Sequence, residues 1–301
     1  MSNLDSSNKP RFHGAICPAI TPFGDDGKVD FKAMEKHYKM LTDSGINGIL
    51  VMGTIGEFVT MKLDERLEII KAAHKMTNLP LIVNVSTTVI EDMFTLADAS
   101  FNEGYTAVMA LPHYYFAQTP NQLFEYFKDL DAHFAGDWFI YNFPARTGCD
   151  VDAALVTKLA KEFPKFIGIK DTVDCASHTR SIVRAVKPIR SDFSVFAGFD
   201  EYFVQNLMNG GAGVLSGLNN VVPELFAQIM QAMKRNDLAE VTKLQEEIGR
   251  LSSIYTIGDD FVNTIKVAVE QKFGYSKSGS RNYGSKLTES QVNDVRKLFK
   301  L

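Results

Sequence analysis

Lys170 stands at the end of an apolar run, Phe166-Ile167-Gly168-Ile169, with Asp171 and Thr172 directly behind it. A lysine in such a place is costly to desolvate. Burial lowers an amine pKa, and the neutral amine is the form that attacks a ketone to give an imine. A lysine ending a strand is equally well a solvated strand end, so the chemistry needs companions. Tyr141-Asn142-Phe143-Pro144-Ala145-Arg146-Thr147-Gly148 concentrates a phenol, a proline-fixed bend and an arginine. That segment is either a plain loop or a site for acid–base work and anion binding. Gly53-Thr54-Ile55-Gly56-Glu57 is a glycine-flanked turn that exposes backbone N–H groups and a hydroxyl, suited to a carboxylate, or else an ordinary strand-to-helix connection. It lacks the Gly-Lys-Ser/Thr ending of a phosphate loop.

These residues need elements to carry them. Short apolar runs alternate with stretches of helical period, the pattern of βαβ units and a parallel sheet. The strand candidates are Gly14 to Cys17, Gly48 to Met52, Leu81 to Val85, Ala107 to Leu111, Trp138 to Tyr141, Phe166 to Lys170, Phe193 to Ala197 and Gly213 to Ser216. Phe31, Met34, Tyr38 and Leu41 share one helical face, as do Leu63, Leu67 and Ile70. Alternation alone also allows an open doubly wound sheet, but eight regular units favour closure into a (β/α)8 TIM barrel of the α/β class. In such a barrel the reacting groups sit at the carboxyl ends of strands, where Thr54, Tyr141 and Lys170 all fall. Beyond the strands, helical patterns run over Pro223 to Arg235, Leu238 to Tyr255, Phe261 to Phe273 and Glu289 to Phe299, the last opened by Thr288 and Gln291 at capping-box spacing. The first closes the barrel, giving a catalytic barrel over 1–235 and a C-terminal helical appendix over 236–301.

The bulk properties narrow the partners. A net charge of -4 provides no basic field for nucleic acid. The polar stretch Met1 to Arg11 has no apolar core for a secretory signal, and no apolar run approaches a membrane span, so the expected location is cytoplasmic. Cys17, Cys149 and Cys175 match no metal or redox spacing and read as reduced. None of the six histidines forms a paired ligand motif; His13, His37, His74, His133 and His178 read as structural or solvated. No metal and no cofactor are expected.

Taken together, the three segments resemble the dihydrodipicolinate synthase and N-acetylneuraminate lyase family of Schiff-base pyruvate enzymes, from about His13 to Asn220 and more weakly to the end. That family carries GTTGE or GSTGE, then YNxPxxTG, then GxK[DQ]T, in this order. The resemblance implies that Lys170 forms the imine and that Tyr141 moves protons to and from the adduct. Thr54 holds the carboxylate and links two tyrosines. The second tyrosine, supplied in relatives by a neighbouring subunit, comes from Pro112-His113-Tyr114-Tyr115; it is placed at Tyr114, with Tyr115 the alternative register. Ile55, Gly56, Arg146, Thr172 and Leu215 are the implied substrate contacts. Leu215 offers a backbone carbonyl from the glycine-rich eighth strand, a segment that alone would be a weak dinucleotide signal.

Two departures distinguish members. Ile55 replaces the second hydroxyl of GTTGE, which argues against 4-hydroxy-tetrahydrodipicolinate synthase, the enzyme that joins pyruvate to aspartate semialdehyde. Arg146 stands where those synthases grip the aldehyde's carboxylate, which argues for it. The segments Ala197 to Glu201 and Phe261 to Lys266 look more like 2-keto-3-deoxy sugar acid aldolases, and that is the preferred expectation. The alternatives are the synthase, a keto-deoxy sugar acid dehydratase, and a pyruvate-binding sensor barrel. Partners are pyruvate and an aldehyde or keto sugar acid, with a homo-oligomer, dimer or tetramer, completing the site.

Overall fold

In the computed structural model the apolar runs become eight parallel strands closed into a barrel in chain order. The structure describes residues 10–275, 279–282 and 286–301. The strands are β1 (Gly14–Pro18), β2 (Gly48–Val51), β3 (Leu81–Asn84), β4 (Ala107–Ala110), β5 (Asp137–Asn142), β6 (Phe166–Asp171), β7 (Ser194–Ala197) and β8 (Gly213–Leu215). Nearly every strand residue is buried, as expected of a parallel sheet covered on both faces, and this is why the strands read as continuous apolar runs. Closure replaces the open-sheet alternative.

Twelve α-helices punctuate the described strands: α1 (Phe31–Asp43), α2 (Leu63–Ala73), α3 (Ile90–Asn102), α4 (Pro120–His133), α5 (Pro144–Thr147), α6 (Ala153–Glu162), α7 (Ala176–Val186), α8 (Phe203–Met208), α9 (Pro223–Arg235), α10 (Leu238–Leu251), α11 (Phe261–Phe273) and α12 (Glu289–Phe299). Local chemistry sets their starts. Asp30 accepts from Lys32 N and Ala33 N, and Thr119 with Gln122 forms a capping box before Pro120. The box expected at Thr288 and Gln291 opens α12. The spacing predicts a helix to Tyr255, yet α10 stops at Leu251 and continues as a 3-10 segment, Ser252–Thr256. There the hydroxyls of Ser252 and Ser253 bond back to Gly249 O and Arg250 O, competing with the helical pattern. No helix among the described residues is long and apolar enough to cross a membrane.

The chain forms two compact units: one holds the residues up to Gly14 and Ile82–Leu215, the other Ala15–Leu81 and Ser216–Leu301. In the first, Trp138 stacks on Phe166 at 4.6 Å and on Phe127 at 5.8 Å, and Phe166 meets Phe193 at 4.9 Å. This aromatic core anchors the start of β5 and β6. Further along that pair the register slips: Trp138 pairs with Phe166 but Phe139 pairs with Gly168. Ile167 is thus an extra residue on β6, a bulge, and it sets Tyr141 opposite Lys170 and Asn142 opposite Asp171. Without it Lys170 would face Asn142. In the second unit β1 and β2 pair from Ile16 and Gly48, and Asn220 bonds to Ile20 N, Pro18 O and Gly217 O.

Candidate active site

Lys170 is the penultimate residue of β6 and is 5% exposed. Its Nζ lies 4.2 Å from the ring centroid of Tyr141, which is itself buried and stacks on Phe143. Among the described residues Lys170 makes no ion pair, and its nitrogen lies over the face of that ring. Thr172, just past the strand, packs against Gly198, and its Oγ1 has no hydrogen-bond partner among the described residues. Leu215 ends β8 and is buried. Arg146 lies on the short α5, exposed, 6.0 Å from the Phe143 ring and in no ion pair among the described residues. A free guanidinium beside the strand ends is ready for an anion.

The loop after β4 carries the two tyrosine candidates. Tyr114 is half-buried, whereas Tyr115 is 86% exposed with φ at 85°, a left-handed conformation that a non-glycine residue seldom adopts. Tyr115 meets Phe116, also exposed, edge to face at 5.0 Å. Nearby, burial pushes the Tyr126 phenol up, and its hydroxyl donates to Leu111 O at 3.2 Å.

One feature of this unit was not legible from motifs. Asn142 and Asp171, the neighbours of Tyr141 and Lys170, are joined by Asn142 Nδ2 donating to Asp171 Oδ1 at 2.9 Å. His178 lies between Asp171 Oδ2, 2.9 Å from its Nδ1, and Asp150 Oδ2, 3.2 Å from its Nε2. Hydrogen bonds to Asp150 and Asp171 push its pKa up to about 10. The same contact holds Asp150 below the usual carboxylate range. His178 is therefore not a solvated histidine but one held between two carboxylates, which is the structural alternative of the two.

Thr54, Ile55 and Gly56 belong to the other unit. Their turn is tight: Glu57 N donates to Thr54 O at 3.0 Å, Thr21 Oγ1 to Gly56 O at 2.8 Å, and both Met52 and Glu57 have positive φ. A side chain at Gly56 would lie 2.9 Å from Met52 Cα and 3.1 Å from Ala19 O, so only glycine fits. Ile55 is buried, and its Cδ1 and Tyr255 OH both border Gly217. Glu57 turns inward instead, where its carboxylate accepts from Lys266 Nζ, from Ser280 Oγ at 2.9 Å and from Arg281 N at 2.7 Å. Lys266 is as buried as Lys170 but has this carboxylate; burial lowers its pKa and Glu57 partly offsets the shift. Among the described residues no cluster of three histidine, cysteine, aspartate or glutamate side chains could hold a metal ion.

A buried lysine near the end of the sixth strand, in no ion pair among the described residues and set against a tyrosine, is an arrangement that suits an imine-forming carbon–carbon lyase. A model of the Dihydrodipicolinate synthetase family matches residues 11–300, and the chain belongs to that family. The "Probable 2-dehydro-3-deoxy-D-pentonate aldolase YjhH" of Escherichia coli (strain K12) is 31% identical over 262 residues, 86% of this chain and 87% of the relative. YagE of E. coli K12, a prophage protein of the dihydrodipicolinic acid synthase family solved with pyruvate, matches with a TM-score of 0.92 at 27% identity. That match covers 96% of this chain and 98% of YagE. A variant of the Sulfolobus solfataricus 2-keto-3-deoxygluconate aldolase gives 0.85 at 26% identity, covering 95% of each chain.

Proposed function

We propose that this protein is a class I pyruvate aldolase that reversibly cleaves a 2-keto-3-deoxy sugar acid to pyruvate and an aldehyde. The observation that carries this reading is Lys170: buried, in no ion pair among the described residues, and set against Tyr141. Its amine adds to the keto carbon and water leaves, giving an iminium. Tyr141, having given its phenol proton to the departing water, takes as phenolate the proton of the hydroxyl two carbons from the iminium carbon. The bond between the hydroxyl-bearing carbon and the carbon next to the iminium breaks, its electrons pass into the iminium as an enamine, and the aldehyde departs. The enamine regains a proton, and water releases pyruvate and restores the amine. No metal or cofactor enters this sequence.

The remaining roles follow the family pattern. Thr54 and the backbone of Ile55 and Gly56 receive the carboxylate, Leu215 offers its carbonyl, and Thr172, whose hydroxyl has no hydrogen-bond partner among the described residues, and Arg146 meet the substrate's distal groups. For the tyrosine supplied to a second copy, exposure and the strained φ favour Tyr115 over Tyr114. A homodimer or tetramer is part of the proposal, supported by the exposed Tyr115 and Phe116. Cytoplasmic residence is supported by Cys17, Cys149 and Cys175, which form no disulfide among the described residues. Arg146 also supports a second reading, condensation of pyruvate with aspartate semialdehyde, whose carboxylate it would grip. Incubation with pyruvate and borohydride, followed by peptide mass spectrometry, should place one pyruvyl group on Lys170; an adduct on Lys266, or none, overturns the proposal. A rate comparison of 2-keto-3-deoxygluconate cleavage with semialdehyde condensation decides between the two substrates.

A further inference from the structure

Side chains alternate along a strand, so one residue beyond Tyr141 and Lys170 the opposite face of β5 and β6 begins. There Asn142, Asp171, His178 and Asp150 close a ring. Asn142 Nδ2 donates to both Asp171 Oδ1 and Asp150 Oδ1 at 2.9 Å, and His178 spans the other oxygen of each carboxylate. Thr179 Oγ1 adds a third donor to Asp171 at 2.6 Å, and Val151 N donates to Asn142 Oδ1 at 3.0 Å. Every polar atom of the Asn142 amide is thereby occupied. Among the described residues no lysine or arginine pairs with either aspartate, so His178 is the ring's cation. Both of its nitrogens lie against carboxylate oxygens, and only the doubly protonated ring can donate to both.

We propose that His178, as an imidazolium, is a positioning residue that fixes Tyr141 over Lys170. The ring ties the end of β5 and its following loop, through Asn142 and Asp150, to the end of β6 and α7, through Asp171 and His178. Its members on the strands are the chain neighbours of both reacting groups. Without the cation, two carboxylates oppose each other across the ring and push these strand ends apart. Misplacement of reacting groups by about 1 Å costs on the order of 10²-fold in rate.

This inference rests on Lys170 and Tyr141 being the reacting pair. The test compares wild type, His178→Gln and the double variant His178→Gln with Asp150→Asn, following the cleavage reaction and melting temperature. In His178→Gln, kcat should fall about 10- to 100-fold while KM changes less than about threefold. In the double variant the glutamine amide can donate to Asp171 and accept from the new asparagine, so the ring is again satisfied and kcat should return to within about threefold of wild type. A folded His178→Gln chain with kcat within about twofold of wild type overturns the proposal, as does a folded double variant still more than about tenfold down. Should His178→Gln fail to fold, the double variant decides alone by the same thresholds. Borohydride trapping of the wild type separates the two levels: no adduct on Lys170 defeats the catalytic reading, whereas an adduct with unmoved kcat in His178→Gln defeats only the positioning role.

Discussion

Lys266→Met removes the ammonium that pairs with Glu57 while keeping most of the stem, at a place where both side chains are 1% exposed. Glu57 Oε1 then loses its charged partner, but Oε2 keeps Ser280 Oγ and Arg281 N at 2.9 and 2.7 Å. Breaking a buried pair from one side costs about 3–5 kcal/mol, and the two retained donors place this case at the low end, about 3 kcal/mol. Glu57→Gln is milder. The lysine keeps a neutral acceptor and the Phe23 ring at 4.1 Å, and burial already disposes it to give up its proton, so about 1–2 kcal/mol is expected. The double variant buries no charge from this pair and should cost at least about 1 kcal/mol less than the sum of the two. Urea unfolding followed by far-ultraviolet circular dichroism measures all three. A Lys266→Met cost under about 1 kcal/mol, or strict additivity in the double variant, would refute the argument.

His37 is fully buried, bonds to Asn220 Oδ1 and Tyr275 OH, and burial lowers its pKa to about 4. Between that value and 6.5 the unfolded chain binds the extra proton, so its contribution is complete above pH 6.5 and is lost as pH falls towards 4. The loss is about 3 kcal/mol, read as a wild-type urea-midpoint shift that His37→Gln lacks. Gly168→Ala would drive a methyl into the Phe139 ring and to 2.5 Å from Ser194 O; about 2–3 kcal/mol of stability should go, and a variant as stable as wild type refutes the packing. Tyr141→Phe should slow turnover by about 10²–10⁴-fold while pyruvate is still trapped on Lys170; turnover near the wild-type rate rules out the phenol as the proton carrier.

How far the site can be read ahead of the structure depends on the range of the physics involved. The eight strands are legible because burial on both faces makes each a short apolar run, and Lys170 is legible because it ends one. That Tyr141 is its partner depends on the bulge at Ile167, and nothing in Phe166-Ile167-Gly168 announces a bulge except a glycine. His178 has no motif: its partners Asp171 and Asp150 lie 7 and 28 positions away and meet it only once the strand ends and α7 are in place. Lys266 shows the same limit from the other side. It too sits in an apolar stretch, Phe261-Val262-Asn263-Thr264-Ile265, and what sets it apart from Lys170 is Glu57, 209 positions earlier.

The two buried lysines show why the ring behind β5 and β6 must be balanced. A carboxylate beside a buried amine favours the ammonium form, and Glu57 does so for Lys266, partly offsetting the lowering that burial causes. An amine that must attack a carbonyl needs the opposite surroundings, yet Asp171 is the residue next to Lys170 and is buried with it. Strand alternation sends that carboxylate to the other face, and His178 supplies the positive charge that answers it there. One pair of strands thereby carries an aromatic wall against Lys170 on one side and a closed ring of paired groups on the other. Removing His178 would therefore loosen the strand ends and leave Asp171 and Asp150 opposed with no positive partner among the described residues.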